Sequence, residues 1–488
     1  MAKNAKKHTA ECPLYKKCGG CQLQNMTYPE QLAYKQRKEE RWLSKFCHVE
    51  PIIGMEDPHH YRNKVQAAFA WDQRHRKVIS GVYQSGSHSI VPVNDCLIED
   101  RKADEIIVDI RRLMTSFKMQ PYDEDSRRGF LRHVLVKRGF STGQIMVVLV
   151  TGTPMFPSRR NFLKALLELH PDITTIIQNV NPYRTNLVLG KQEQVLYGPG
   201  YIEDTLCGCT FRISAKSFYQ INPVQCEKLY RTAIDYAGLT GNETLFDSYC
   251  GTGTIGIIAA KQAKNVIGVE LNRDAVKDAI SNAKRNDINN IRFICGDAGN
   301  FLSAIAESDE EDAHVDVIMM DPPRAGSSQE FLDSVLKLSP PKVVYVSCNP
   351  ETLHRDLKYL TQYGYSCEKI QPVDMFPYTS HVETVCLLYY QKNRQTFSID
   401  YTPEEDYIKT MTGNASYREI RDYVLKEHGL KVSTAQVAEV KRQCGLEMRD
   451  CYNREIDTPP ASSHMTEEKR KAILAALKHF RMVETKKG

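Results

Sequence analysis

Residues 245–260 read LFDSYCGTGTIGIIAA: an apolar run, glycines at 251, 253 and 256, then an apolar helical pattern. The stretch predicts a strand that turns sharply into a helix. Its glycines allow a close approach to the backbone, and the helix start offers N–H groups that have no intrahelical partner. The next apolar run, NVIGVEL at 265–271, ends near Glu270, where an acid reaches a pair of ribose hydroxyls. Further out the alternation continues, with IRFICGDA at 291–298, VDVIMMDPP at 315–323, KVVYVSC at 342–348, YSCEKIQPVDMF at 365–376 and VETVCLLYYQ at 382–391. Strands alternating with amphipathic helices predict an α/β, doubly wound, Rossmann-like domain over residues 206–393.

A glycine loop of this kind suits a nicotinamide cofactor as well as S-adenosylmethionine, so the later strands decide. DPPRAG at 321–326 places Asp321 and two prolines at the carboxyl edge of the sheet, where ligands of such folds bind. In amino-group methyltransferases a related loop carries an aromatic residue after the prolines. Here Arg324 stands there, which argues against attack by an exocyclic amine. The strand KVVYVSC then delivers Cys348 next to Asn349 and Pro350, a cap and first turn of a helix. A helix N-terminus lowers the pKa of a nearby thiol, so Cys348 is expected as a nucleophile.

A methyl donor and a thiolate at one sheet edge fit one problem in pyrimidine chemistry. Carbon 5 of uracil attacks a sulfonium methyl too weakly on its own. Thiolate addition at carbon 6 makes an enolate that is strongly nucleophilic at carbon 5. A base must afterwards remove the carbon 5 proton. TSHVETVCLL at 379–388 offers Glu383 for this task, with His381 as a positioning residue. A nicotinamide-dependent oxidoreductase, the alternative enzyme, leaves Cys348 and Glu383 without a role.

The remainder of the 488 residues divides by composition. CPLYKKCGGC at the start holds Cys12, Cys18 and Cys21, with Cys96 the best fourth thiol and Cys47 its competitor. Four thiolates suit zinc or an iron-sulfur cluster. Residues 1–47 are read as this cysteine segment and 48–205 as a central α+β domain that contacts RNA through Arg62, Asn63, Lys64, Arg132, His133, Lys137 and Arg138. Cys226, Cys295, Cys367 and Cys386 read as core filler. Residues 394–488 predict a helical extension that reads equally as a helix-turn-helix-like pair, with Lys441 and Arg442 of its second helix as nucleic-acid contacts, and as a protein-docking bundle. ESDEEDAH at 307–314 reads as a solvated loop. Fifteen scattered cysteines, no bilayer-length apolar run and a basic start without an apolar core predict a cytoplasmic protein with no membrane segment. Lys and Arg total 65 against 60 for Asp and Glu, an excess that favours a polyanionic partner only weakly.

The ordered motifs CPLYKKCGGC, YRNK, RHVLVKRG, SFYQIN, DSYCGTGTIG, GVEL, DPPRAG, VSCNP and HVET cover roughly residues 12–390. In them the chain resembles the iron-sulfur branch of the bacterial RNA 5-methyluridine methyltransferases, the uracil-5 methyltransferases of 23S ribosomal RNA. The resemblance implies a class I S-adenosylmethionine-dependent methyltransferase domain and a 4Fe-4S cluster held by Cys12, Cys18, Cys21 and Cys96. It implies that Gln220, Tyr249, Glu270 and Asp321 contact S-adenosylmethionine, with Asp297 at the adenine edge. Cys348 becomes the nucleophile and Glu383 the base. The implied partner is 23S ribosomal RNA, with transfer RNA as the alternative, and the enzyme is expected to act as a monomer in rRNA processing.

Overall fold

The computed structural model describes residues 11–87, 89–185, 187–307, 314–391, 415–444 and 466–480. The chain divides into two compact units, Met1–Arg394 and Gln395–Gly488.

The first unit contains two seven-stranded sheets. One is built from β1 (Lys64–Asp72), β2 (Lys77–Tyr83), β3 (Ile90–Pro92), β4 (Leu131–Arg138), β5 (Ile145–Thr151), β6 (Ile173–Val180) and β7 (Gln192–Tyr197), in the order β3-β2-β1-β4-β5-β6-β7. Its pairings are antiparallel except β5 with β6. Helices Arg101–Ser116 and Arg159–Leu169 cover one face through Ile106, Ile110, Met114, Phe162 and Leu166. The opposite face, with Leu135, Met146, Val148 and Val150, packs into the core shared with helix Pro223–Ala237. Burial on both faces explains why β5 is apolar throughout instead of alternating.

A two-stranded hairpin, β8 (Ile202–Leu206) and β9 (Cys209–Ile213), leads into the second sheet. This sheet comprises β10 (Thr244–Ser248), β11 (Asn265–Glu270), β12 (Ile291–Cys295), β13 (Val317–Met320), β14 (Lys342–Ser347), β15 (Tyr365–Val373) and β16 (Glu383–Tyr390). The order is β12-β11-β10-β13-β14-β16-β15. The first five strands run parallel, and β16 inserts antiparallel between β14 and β15. The strand order reverses between β10 and β13, which opens a crevice at their carboxyl ends. Asn349 caps helix Pro350–Gln362 by accepting from the Glu351 amide (3.1 Å), as its sequence predicts.

Helix Tyr28–Leu43 precedes both sheets and starts in a Thr27–Glu30 capping box with Pro29 in its first turn. Among the described residues no helix is long and apolar enough to cross a membrane.

In the second unit, helices Tyr417–His428, Thr434–Gln443 and Glu467–His479 enclose Ile420, Val424, Val437, Val440, Ile473 and Leu477. The expected nucleic-acid contact at Lys441 does not fit this packing: the side chain is buried and donates to the Ala415 carbonyl (3.3 Å). The Arg442 side chain, residues 392–414 and residues 308–313 of the acidic run lie outside the described residues.

Candidate active site

A cavity of about 470 Å³ opens at the strand-order reversal of the second sheet. Gln220, Tyr249, Glu270, Asp321, Cys348 and Glu383 all line it, as do Arg324 and His381. Asp297 does not. It is exposed and accepts from the Asn300 amide (2.9 Å), at the start of helix Ala298–Glu307.

The glycine loop builds one wall. Glu270 at the end of β11 accepts from the Gly251 amide (3.1 Å) and the Asn272 amide (2.8 Å), which fixes both its oxygens beside the loop. Gly251 has φ +56°, and a Cβ there would point into open space, so the loop leaves room for a ligand. Asp247 inside β10 accepts from the Gly256 amide (2.9 Å). A Cβ at Gly256 would lie 2.7 Å from that same carboxylate oxygen, so only glycine fits. Burial pushes Asp247 up to about 8. Sequence reasoning passed over Asp247, although an acid in the middle of an apolar strand was the available signal. It also passed over Phe218 in SFYQIN, which is 68% exposed and stands at the cavity.

Three titratable groups stand at the edge of the cavity. Burial raises Glu383 well above the usual carboxylate range, and the Asp321 charge adds to the rise while Arg324 opposes it. Burial likewise pushes Asp321 up to about 7. The Cys348 thiol is pushed up to about 11, first by burial, then by the charges of Glu383 and Asp321, with Arg324 opposing. The expected lowering by the helix start is therefore outweighed. Burial is the largest cause, and the charges of Glu383 and Asp321 add to it. Chemically, the edge holds a thiol, two acids whose pKa values burial raises, and the cation of Arg324.

The sequence model of the tRNA (Uracil-5-)-methyltransferase family matches residues 27–391. Two uncharacterized RNA methyltransferases are similar over most of the chain. The one from Halalkalibacterium halodurans is 43% identical, covering 78% of this chain and 83% of its own. That from Clostridium acetobutylicum is 44% identical, covering 77% and 82%. Among solved structures, the Pyrococcus abyssi tRNA (uracil-54, C5)-methyltransferase in complex with S-adenosyl-L-homocysteine is 28% identical with a TM-score of 0.63, covering 76% of this chain and 85% of that one. The chain belongs to the tRNA (uracil-5-)-methyltransferase family. It is an RNA (uracil-5-)-methyltransferase.

In this methyltransferase the cations expected on RNA are mostly structural. Arg132 is buried and bonds Glu124 and the carbonyls of Asn181 and Tyr183. Lys137 is buried and donates to the carbonyls of Ser214 (2.8 Å) and Ser217 (2.9 Å). Asn63 donates to the Gln220 carbonyl (3.1 Å), so β1 and β4 brace the segment that carries Gln220 and Phe218. His133 is buried and pushed down to about 4, and Arg138 pairs with Asp100. Residue type suggested a strand with one face toward phosphates, but both faces of β4 are covered. Arg62 and Lys64 remain half-buried.

Among the described residues, no group of three or more Cys, His, Asp or Glu side chains stands together as ligands of a single metal ion. Cys12, Cys18 and Cys21 are nonetheless neighbours: each of the first two adds to the rise in the pKa of Cys21, behind burial. Cys21 and Cys96 pack on the same small cluster of Tyr61, Ile98 and Tyr378. Gly19, at φ +71°, docks the cysteine loop so closely on the β2–β3 connection that a Cβ would lie 2.8 Å from Ser85. Cys47 lies elsewhere, with its Sγ 3.6 Å from that of Cys367, which removes it as a competitor for the fourth place. Cys226, Cys367 and Cys386 are buried, whereas Cys295 is exposed and is not core filler.

Proposed function

We propose that this enzyme methylates carbon 5 of a uridine in 23S ribosomal RNA, using S-adenosylmethionine and a transient bond between Cys348 and carbon 6. The observation that carries the reading is the meeting of the glycine loop, Cys348 and Glu383 in one cavity. S-adenosylmethionine, when bound, supplies an electrophilic methyl group. The loop around Gly251 has the open space to hold it, with Tyr249, Glu270, Asp321 and Gln220 around the same cavity.

The chain's own groups divide the remaining work. Asp321 takes the Cys348 proton as the thiolate adds to carbon 6, which leaves Glu383 ionised for the later step. Arg324, the cation at this edge, offsets the negative charge that the addition places on the uracil ring. After methyl transfer Glu383 removes the carbon 5 proton, the carbon 5–carbon 6 double bond re-forms and Cys348 leaves. The target base must leave its stack to reach so recessed a thiol.

Because acid protonates both the thiol and the carboxylate that receives its proton, kcat/KM is expected to fall as pH is lowered through neutrality. The thiolate fraction changes about tenfold per pH unit below the thiol pKa, so the slope should be steep. Single-turnover rates across neutral and alkaline pH measure it.

Cys12, Cys18, Cys21 and Cys96 would hold a 4Fe-4S cluster, whose chemistry here is cross-linking rather than redox, since methyl transfer moves no electrons between redox centres. Iron and sulfide content of the anaerobically purified enzyme tests this. The ribosomal target rests on the sequence motifs around those cysteines. Similarity to the archaeal tRNA (uracil-54, C5)-methyltransferase favours transfer RNA as the second reading. Mass mapping of 5-methyluridine in both RNAs, with and without the enzyme, decides: loss from 23S ribosomal RNA alone supports the proposal, and loss from transfer RNA alone overturns it.

A further inference from the structure

Helix Tyr28–Leu43 buries Gln31, Lys35, Glu39 and Leu43, a stripe at four-residue spacing of which three members are polar. A stripe facing a core is ordinarily apolar. Each polar member here reaches the segment 374–382 that joins β15 to β16, or the start of β16 itself. The Gln31 Oε1 accepts from the Tyr378 amide (2.8 Å). Lys35 pairs with Asp374 and donates to the Phe376 carbonyl (3.0 Å). Glu39 Oε2 accepts from the Thr384 hydroxyl (2.9 Å). Lys38, beside this stripe, adds a bond to the Ser380 carbonyl (3.1 Å). The stretch so fastened brings Phe376, His381 and Glu383 to the cavity.

Apolar side chains would pack this helix without the penalty of buried charge. What hydrogen bonds add is direction. Successive residues of a strand face opposite sides of the sheet, so a bond that fixes Thr384 toward the helix also fixes Glu383 toward the cavity. Thr384 is moreover paired in register with Ser347, the residue before Cys348. Glu39 is wholly buried, and its Oε1 has no hydrogen-bond partner among the described residues. An acid held at that cost, pushed up to about 7 by its burial, is poorly explained by packing alone.

We propose that Glu39 is a positioning residue for the base: through the Thr384 hydroxyl it holds Glu383 in line with the carbon 5 proton. The proposal rests on the covalent mechanism above. In the step concerned, the carbon 5–hydrogen bond breaks, its proton goes to Glu383, its electron pair forms the carbon 5–carbon 6 double bond, and the sulfur–carbon 6 bond opens to return Cys348 as thiolate. A misaligned Glu383 therefore slows release of the adduct more than its formation.

The test uses the full-length enzyme with RNA substrate, following turnover, KM for S-adenosylmethionine and the fraction of enzyme held on RNA in an SDS-stable complex. Glu39→Leu is expected to lower kcat about tenfold or more, the range for a misplaced catalytic group, with KM for the methyl donor little changed. The SDS-stable fraction should rise at the same time. Glu39→Gln keeps an acceptor for Thr384 and should restore turnover to within about threefold of the parent. Thr384→Val, nearly the same size as threonine, should reproduce Glu39→Leu, and the two together should be no worse than either alone. If the SDS-stable fraction falls in step with turnover, or if Thr384→Val leaves turnover unchanged, the positioning role is overturned. If the parent enzyme forms no adduct even on 5-fluorouridine RNA, the covalent reading fails and takes this one with it.

Discussion

Cys348→Ala is expected to abolish methyl transfer, with a loss on the order of 10⁴-fold or more, as for other nucleophiles whose removal leaves only binding and orientation. The size follows from the chemistry of the acceptor. Without addition at carbon 6, carbon 5 of uracil has no electron pair able to displace a methyl group, so no other residue of the cavity substitutes. Binding of S-adenosylmethionine should survive, because Gly251, Glu270 and Asp247 form a wall of their own. The decisive measurement pairs the variant with 5-fluorouridine RNA. Fluorine at carbon 5 cannot leave as a proton, so the parent enzyme should be trapped as an adduct at residue 348, seen by mass, whereas the alanine variant forms none. Methyl transfer by the alanine variant at even a hundredth of the parent rate would refute a covalent mechanism.

The parts of this architecture that depend on local geometry are legible in the sequence. Three glycines after an apolar strand, an acid at the end of the next, and Asn349-Pro350 as a helix start each state a backbone requirement that neighbouring residues satisfy. They place the crevice and bring Cys348 to its edge. Long-range packing is not legible in the same way. Lys137 and Arg132 look like RNA contacts because polarity reports what burial costs, not whether carbonyls from residues 181, 183, 214 and 217 stand ready to accept from them. The stripe of Gln31, Lys35 and Glu39 is hidden for the same reason, since its partners lie more than three hundred residues further along the chain. Electrostatics is the third limit. A helix start beside Cys348 is visible in the sequence, but the burial that raises its thiol and the acids Glu383 and Asp321 that add to the rise are set by distant parts of the chain. Asp297, just beyond β12, meets the pattern of a cofactor ligand, and its Oδ1 also accepts from the Asn300 amide at the start of the next helix, outside the lining of the cavity.

Glu383→Gln is expected to separate the two halves of the reaction. Turnover should fall by about 10² to 10⁴, the usual contribution of a positioned general base. The first half should persist. Glutamine is close to glutamate in size, and it removes a negative charge that holds the Cys348 thiol up, so the thiol pKa should drop below about 11 and thiolate should form more readily. Asp321 remains to take the thiol proton. Addition and methyl transfer then proceed to an adduct that already carries its methyl group but cannot lose the carbon 5 proton. The enzyme should therefore accumulate covalently on RNA, with one methyl group per trapped molecule, while free 5-methyluridine fails to appear. Denaturing gels with isotopically labelled methyl donor read both quantities at once. A variant that is slow yet forms no adduct would make Glu383 an acid–base partner of the thiol rather than the group that releases it. The assignment would then pass to another residue of the cavity, His381 first among them.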